Sequence, residues 1–307
     1  VKAHFLGPLR MERTTTTVSV LEQTANVAAP HDYIEGTMQP IPYMSWDNMA
    51  PAAAVNSSVH EMAQWLLMQL NGGKLHGKRF LSDEQHWELQ SPQTLQPVGR
   101  SEAEIWPGRH FKAYALGWSV ETYRGKKLVG HGGGADGMIS KTGFIPGEDF
   151  GFVILSNSIN YLPSALPYKI MDMYLQVQGR DWSSFYYNFY TRRKAKEKER
   201  VKKLVASRDT DGQPSFPLDA YTGTFGGDLY GDAQVGLEDG KLWVDFLPAP
   251  KLIGDLTYHH KNVFEIRLRN SPLPVGRVQF IPDMDGTIQE MKVSKIGRAS
   301  CRERVYT

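Results

Sequence analysis

The sequence predicts an α+β fold in which an antiparallel sheet with helices is followed by a small all-β barrel. Three observations support this prediction. Capped amphipathic segments in the first half indicate helices, strand-like runs separated by turn residues follow them, and only short strand patterns occur after Leu218. The 307 residues and the 41% hydrophobic content suit about two globular units.

The helices of the first part are marked by their ends. Ser58 with Glu61 has the spacing of a capping box, and Ser82-Asp83-Glu84-Gln85 is expected to open a shorter helix. The first of these helices carries one apolar stripe before a glycine pair ends it, formed by Val59, Met62, Ala63, Leu66, Leu67 and Leu70. The second is expected to end before Pro92, and a third is predicted over residues 164–178, closed by Gly179.

Strands are predicted in both parts from alternating or β-branched runs between turn residues. In the first part they cover residues 114–122, 126–130, 140–146 and 150–157. In the second part seven short strands are expected at 221–225, 233–238, 241–246, 252–258, 263–269, 277–281 and 287–293. Asp239-Gly240 and Asp285-Gly286 are strong hairpin signals, and this regular spacing favours a small barrel or sandwich.

A basic run separates the two parts. Residues 191–204 contain eight basic and two acidic side chains, a local charge of +6 in a chain whose net charge is +2. Such a run is compatible with nucleic-acid binding. Interleaved Glu197 and Glu199 and the lack of aromatic residues within the run favour a solvated linker helix instead, with no nucleic-acid partner. The predicted boundaries are 1–182, a linker at 183–212, and a barrel at 213–294.

The segment His131-Gly132-Gly133-Gly134 is the main candidate for chemistry. Glycine has no Cβ, so a substrate can lie directly against the backbone, and free N–H groups can form an oxyanion hole. The alternative for the glycines alone is an ordinary hairpin turn between the strands at 126–130 and 140–146.

This segment and its surroundings resemble the serine β-lactamase and penicillin-binding-protein superfamily. The resemblance is strongest to its class C-like branch of D-alanyl-D-alanine carboxypeptidases, esterases and D-aminopeptidases. His131-Gly132-Gly133 is similar to the third active-site motif, which is Lys-Thr-Gly or His-x-Gly. Other matching segments follow in the family's order, at residues 7–14, where Arg10 replaces a glycine, and at 51–70, 114–118 and 152–157.

The resemblance implies a bacterial serine hydrolase that works through an acyl-enzyme without metal or cofactor. His131 would be catalytic, orienting the substrate or supporting a tyrosine, and the Gly134 N–H would complete the oxyanion hole. Gly132 and Gly133 would contact the substrate, a small molecule or a peptide. The family favours a periplasmic or extracellular location. An inactive relative that binds peptides or peptidoglycan is the alternative.

Two motifs of the family have no counterpart in the expected place. No serine is followed three residues later by lysine. Tyr-x-Asn occurs only at Tyr186-Tyr187-Asn188, after the His131 segment, and Lys141-Thr142-Gly143 lies on the expected hairpin partner of the motif strand. We interpret both as decoys. The sequence is therefore expected to be an N-terminally truncated fragment that is inactive by itself, from a parent that is an enzyme.

The C-terminal part resembles a lipocalin-like accessory domain in three short segments, residues 218–225, 230–232 and 238–242. Residues 295–307, which include the single cysteine Cys301, resemble a translated sequencing adapter and are expected to be non-native. No apolar run in the sequence is long enough for a transmembrane helix.

Overall fold

The computed structural model describes residues 1–34, 36–106, 108–135, 137–227, 231–249, 252–269, 275–294 and the backbone of 304–306. The chain divides into two compact units. Unit 1 comprises Val1–Tyr33 and Thr37–Tyr190, and unit 2 comprises Ile34–Gly36 and Thr191–Thr307.

Unit 1 is built on a six-stranded antiparallel sheet with helices. Its elements are β1 (His31–Ile34), β2 (Thr37–Pro40), α1 (Ala50–Ala53), α2 (Val59–Leu70), β3 (Lys74–Leu75), β4 (Lys78–Arg79), α3 (Asp83–Leu89), β5 (Thr94–Gln96), α4 (Arg100–Ile105), β6 (Lys112–Tyr114), β7 (Ser119–Tyr123), β8 (Lys126–Ala135), β9 (Met138–Ile145), β10 (Phe150–Ser156) and α5 (Leu162–Tyr174). The strand order is β10-β9-β8-β7-β6-β5, so that β10, which carries no charged residue, forms one edge.

Three predicted boundaries are wrong. The single strand expected at 114–122 is a hairpin of β6 and β7, because Gly117 adopts a φ of +83° and the Ala115 N–H donates to the Trp118 carbonyl over 2.7 Å. The glycine segment after His131 lies inside β8 rather than between strands. Helix α5 ends at Tyr174 rather than at residue 178, since Gln176 has a left-handed φ of +54°.

The sheet buries different residues on its two faces, because successive side chains of a strand point to opposite sides. Val129 of β8 packs with Leu66 of α2 and with Trp118. Its neighbour Leu128 packs in a separate cluster with Met171 of α5 and with Trp182. Helix α2 therefore covers one face, and α5 covers the other.

A network around Glu61 fixes the start of α2. Ser58 caps the helix by accepting from the Glu61 N–H over 3.3 Å, as predicted. The Glu61 carboxylate, however, accepts from the Arg13 N–H and the Thr14 hydroxyl, so the reciprocal half of the expected capping box is absent there. Helix α3 begins after Ser82, as predicted, and there both halves of a capping box between Ser82 and Gln85 are present.

Asp172 of α5 is a buried polar junction of unit 1. Its carboxylate accepts hydrogen bonds from the Tyr123 hydroxyl and the Trp182 indole N–H, both over 2.7 Å, and Arg124 approaches it at 3.3 Å. Burial is the largest of the causes that raise the pKa of Tyr123, and the hydrogen bond to Asp172 adds to it. These bonds tie β7 to α5 and to the segment that follows α5.

A long helix and an antiparallel barrel make up the rest of the chain. The elements are α6 (Trp182–Ala206), β11 (Gly223–Phe225), β12 (Ala233–Glu238), β13 (Lys241–Phe246), β14 (Ile253–His260), β15 (Val263–Leu268), β16 (Gly276–Pro282), β17 (Ile288–Val293) and β18 (Arg304–Tyr306). The basic run lies within α6, where Arg200 pairs with Glu197 over 2.8 Å and Lys203 with Glu199 over 3.7 Å.

Strands β11–β17 form a nearly closed barrel in sequential order, which confirms the predicted fold class. One apolar cluster fills its interior, including the ring contacts of Tyr221, Phe264 and Phe280. His259, on β14, is buried, and its Nε2 lies 3.1 Å from the Leu204 carbonyl near the end of α6. Strand β18 pairs with β17 at residues 291–293, whereas 295–303 of the tail predicted to be non-native lie outside the described residues.

Candidate active site

The predicted site residues all lie on β8, beyond the end of its neighbour β7. Pairing with β7 ends at Gly130, opposite Ser119. Pairing with β9 continues from His131, opposite Thr142, to Ala135, opposite Met138. Among the described strands, His131–Ala135 is thus paired on one side only. Alternate backbone N–H and C=O groups on its other side point away from the sheet.

The glycines of this stretch differ in what surrounds them. A Cβ on Gly132 would come within 2.5 Å of the Lys141 Nζ, and one on Gly133 within 2.5 Å of the Ser140 Oγ. Both are side-chain atoms that can rotate away, so each clash could be relieved by a side-chain shift on β9. A Cβ on Gly134 would meet only Ile139, at an ordinary 3.6 Å. Packing against β9 does not explain Gly134, which leaves a backbone role open.

Tyr114 contacts His131, which the sequence did not reveal. Its hydroxyl lies 3.0 Å from the His131 Nε2, and the two rings meet edge-on with centroids 5.9 Å apart. Tyr114 ends β6, and both it and His131 are exposed. Either atom can donate in this hydrogen bond, depending on the histidine tautomer. The contact fixes the position of the imidazole at the one-sided edge of β8.

A second polar group lies at the turn of the β8–β9 hairpin. The His31 N–H donates to the Gly137 carbonyl over 3.2 Å, and the His31 Nδ1 lies 2.8 Å from the Ala29 carbonyl. Asn157 donates to the same Ala29 carbonyl over 3.0 Å. Gly137 has a φ of +71°, and a Cβ there would collide with Pro30 and His31. These contacts give His31 a structural role at the turn.

Charged residues cluster on the face of the sheet covered by α5. Arg109 is buried and bridges Glu102, at 2.9 Å, and Glu121, at 2.6 Å, and it also donates to the Tyr168 hydroxyl over 3.1 Å. Lys112 reaches Glu102 over 3.4 Å. Burial raises the pKa of Glu121 more than Arg109 lowers it.

Beside this cluster lies a cavity of about 210 Å³, bounded by β6–β10, α5 and the start of α6. His131 and Gly132 border it together with Lys141, Tyr168 and Tyr186. Tyr186 belongs to the Tyr-x-Asn sequence interpreted as a decoy, and it stacks on Tyr168 within α6 and α5. The following residue, Tyr187, is 66% exposed.

In the described part of the chain, no three His, Cys, Asp or Glu side chains are grouped so that they could hold a metal ion. None of the helices described is long and apolar enough to cross a membrane.

A family model described as Beta-lactamase matches residues 1–166, just over half of the chain. The chain belongs to the beta-lactamase family. The superfamily predicted from the His131 segment is therefore confirmed. A second family model, a domain of unknown function (DUF3471), matches residues 207–302, the barrel region. The class C-like branch and a relation of the barrel to lipocalins stay predictions.

Two curated relatives are similar to this beta-lactamase family member. Unguisins hydrolase ungD of Aspergillus violaceofuscus is 28% identical over 216 residues, which cover 66% of this chain and 38% of the relative. Unguisins hydrolase ungD' of Aspergillus campestris is 26% identical over 204 residues, covering 61% and 34%. The match thus spans little more than a third of either relative's length.

A solved structure supports the fold. The octameric penicillin-binding protein homologue from Pyrococcus abyssi aligns with a TM-score of 0.50 and 17% identity, over 100% of this chain and 59% of that one. At this identity the likeness concerns the fold alone.

Proposed function

We propose that the chain is part of a serine hydrolase that cleaves an amide or ester bond through an acyl-enzyme. The observation that carries the proposal is the one-sided edge of β8 at His131–Gly134, beside Tyr114. An extended acyl group can add to such an edge as a further strand, with its backbone hydrogen-bonded to β8. Family membership and the names of both relatives as hydrolases support the same class of reaction.

In this proposal the residues present bind and orient the substrate rather than attack it. The Gly134 N–H stabilises the oxyanion, Gly132 and Gly133 lie along the substrate, and His131, positioned by Tyr114, contacts the reacting group. No Ser-x-x-Lys occurs among the 307 residues. We therefore place the serine nucleophile and its lysine in a part of the whole protein outside this sequence. D-amino-acid peptides and β-lactams are the substrates to test.

Labelling with a fluorophosphonate tests the missing nucleophile. We expect no labelling of the 307-residue chain, because a serine without an adjacent base is a weak nucleophile. A longer protein from the same gene that contains Ser-x-x-Lys should be labelled once, at that serine. Stoichiometric labelling of any serine between residues 1 and 307 would contradict this assignment.

Substitution of His131 in the longer protein tests the site itself. His131→Ala should lower kcat/KM by about 100-fold, which is the order of effect of one proton-transferring or orienting side chain. His60→Ala is the matched control, since His60 is exposed on α2 and should leave the rate unchanged. Equal rates in both variants would remove His131 from the mechanism.

A catalytically inactive relative that binds peptides is the second candidate. The same one-sided edge of β8 favours it, because strand addition needs no nucleophile. It predicts a longer protein that binds peptides and stays unlabelled by the fluorophosphonate.

A further inference from the structure

The side chain of Lys141 makes no hydrogen bond or ion pair with the described residues, although it is partly buried. Its side chain crosses the bare backbone of Gly132 and borders the cavity beneath α5. Burial lowers the pKa of Lys141, and nearby Glu121 only partly opposes this effect. A cation that has lost part of its hydration without gaining a partner is costly, so the position favours an incoming anion.

The charged groups around the cavity also favour an anionic ligand. Glu121 and Glu102 are already engaged by Arg109, and Glu102 by Lys112 as well. With Lys141, three cations therefore face two carboxylates, which leaves one positive charge without a counter-charge among these five groups. A single carboxylate on a ligand would balance it.

The remainder of the lining is part apolar and part polar. Side chains from the sheet and from α5 form its apolar wall, namely Leu128, Phe152, Pro163, Pro167 and Met171. Ser119 and Ser164 add hydroxyl groups to the lining. The volume of about 210 Å³ exceeds the roughly 150 Å³ of a dry cavity that accepts benzene. A six-membered ring with one carboxylate matches both the size and the polarity of the space.

We propose that this cavity is a binding site for a small organic carboxylate, whose acid group pairs with Lys141 and whose apolar part packs against α5. The cavity shares its borders at His131 and Gly132 with the proposed hydrolase site, whereas its cation, Lys141, belongs to β9. Lys141-Thr142-Gly143, which has no part in the proposed hydrolase site, supplies its cation.

Benzoate and benzamide are a matched pair of probes, because they differ in charge and share their shape. Titrated calorimetrically into the 307-residue chain at neutral pH, benzoate should bind at least about tenfold more tightly than benzamide. An intermolecular nuclear Overhauser effect to the Met171 methyl group should place the ring in the cavity. Equal affinities, or no benzoate binding at about 10 mM, a concentration well above a millimolar Kd, would overturn the proposal.

Substitutions of two lysines test which residue supplies the positive charge that binds benzoate. Lys141→Met keeps the length of the side chain and should abolish the preference for benzoate over benzamide. Lys127→Met is the control, since Lys127 is also partly buried but lies over the Trp87 ring, away from the cavity lining. A preference that survives in Lys141→Met would refute the assignment. Should that variant fail to fold, the Lys141 ammonium of the unmodified chain, followed by nitrogen NMR, must still shift on addition of benzoate and stay unmoved by benzamide.

Discussion

The barrel of unit 2 and the sheet of unit 1 bury their interiors in different ways. The barrel has one continuous apolar cluster, whose ring contacts include Tyr221, Phe264 and Phe280. The core of unit 1 is divided into three apolar clusters, and charged groups such as Arg109 and Asp172 are buried there as well. The barrel also buries His259 and Glu265, so the two regions differ in the continuity of their apolar cores rather than in whether they bury polar groups.

Truncating one phenylalanine in each region gives the largest expected effect. Phe280→Ala removes a ring that is 1% exposed in the barrel and should cost about 3–5 kcal/mol of unfolding free energy. Phe152→Ala removes a partly buried ring beside an existing cavity and should cost only about 1–2 kcal/mol. Hydrogen exchange in β16 and in β10 measures the two units separately. Equal losses of unfolding free energy in the two variants would show that both regions are packed alike.

The second comparison uses pH, because the side chain of Lys141 in unit 1 is partly buried and makes no ion pair with the described residues. The pKa of Lys141 is lowered in the folded state from 10.5, so the unfolded chain binds its proton more tightly. The unfolding free energy of unit 1 should therefore rise with pH between the lowered pKa and 10.5, by at most about 1.4 kcal/mol per pH unit.

Lys141→Met should remove the contribution of Lys141 to the rise of the unfolding free energy with pH. Urea unfolding between about pH 8 and 10.5 measures this rise. The pKa of Lys127 is also lowered by burial, so a smaller slope should persist in the variant. A slope unchanged by the substitution would show that Lys141 is fully hydrated.

The smallest expected effect is a gain in stability. The Thr142 hydroxyl is buried and has no hydrogen-bond partner among the described residues. Thr142→Val replaces it by a methyl group of the same shape and should stabilise unit 1 by about 0.5–1 kcal/mol in thermal or urea unfolding. Thr122→Val is the control, since that hydroxyl accepts from the His110 N–H over 2.7 Å, and its loss should be destabilising. A loss of stability in both variants would indicate that the Thr142 hydroxyl has a hydrogen-bond partner.

Much of the fold could be predicted because its signals are local. The capping box from Ser82 to Gln85 and the turns at Asp239-Gly240 and Asp285-Gly286 each lie within four residues of sequence. The hairpin turn before Trp118 was missed because its flanking residues also suit a strand. Only the positive φ of Gly117, set by the pairing of β6 with β7, distinguishes the two.

The site was predicted less completely, because contacts between strands depend on register. The sequence indicated His131 and its glycines through their pattern, but the approach of Tyr114 follows from the pairing of β6, β7 and β8. That Lys141 crosses Gly132 follows likewise from the register of β8 with β9. Neither contact can be recognised from the sequence alone.

The edge strand β10 has a consequence for how the chain behaves at high concentration. Its seven residues, Phe150–Ser156, include no charge and no proline, the two features that usually keep an edge strand from pairing with another copy. Half-buried apolar side chains along it would favour in-register association between molecules. A lysine at the exposed Leu155 would act as a gatekeeper against such self-association.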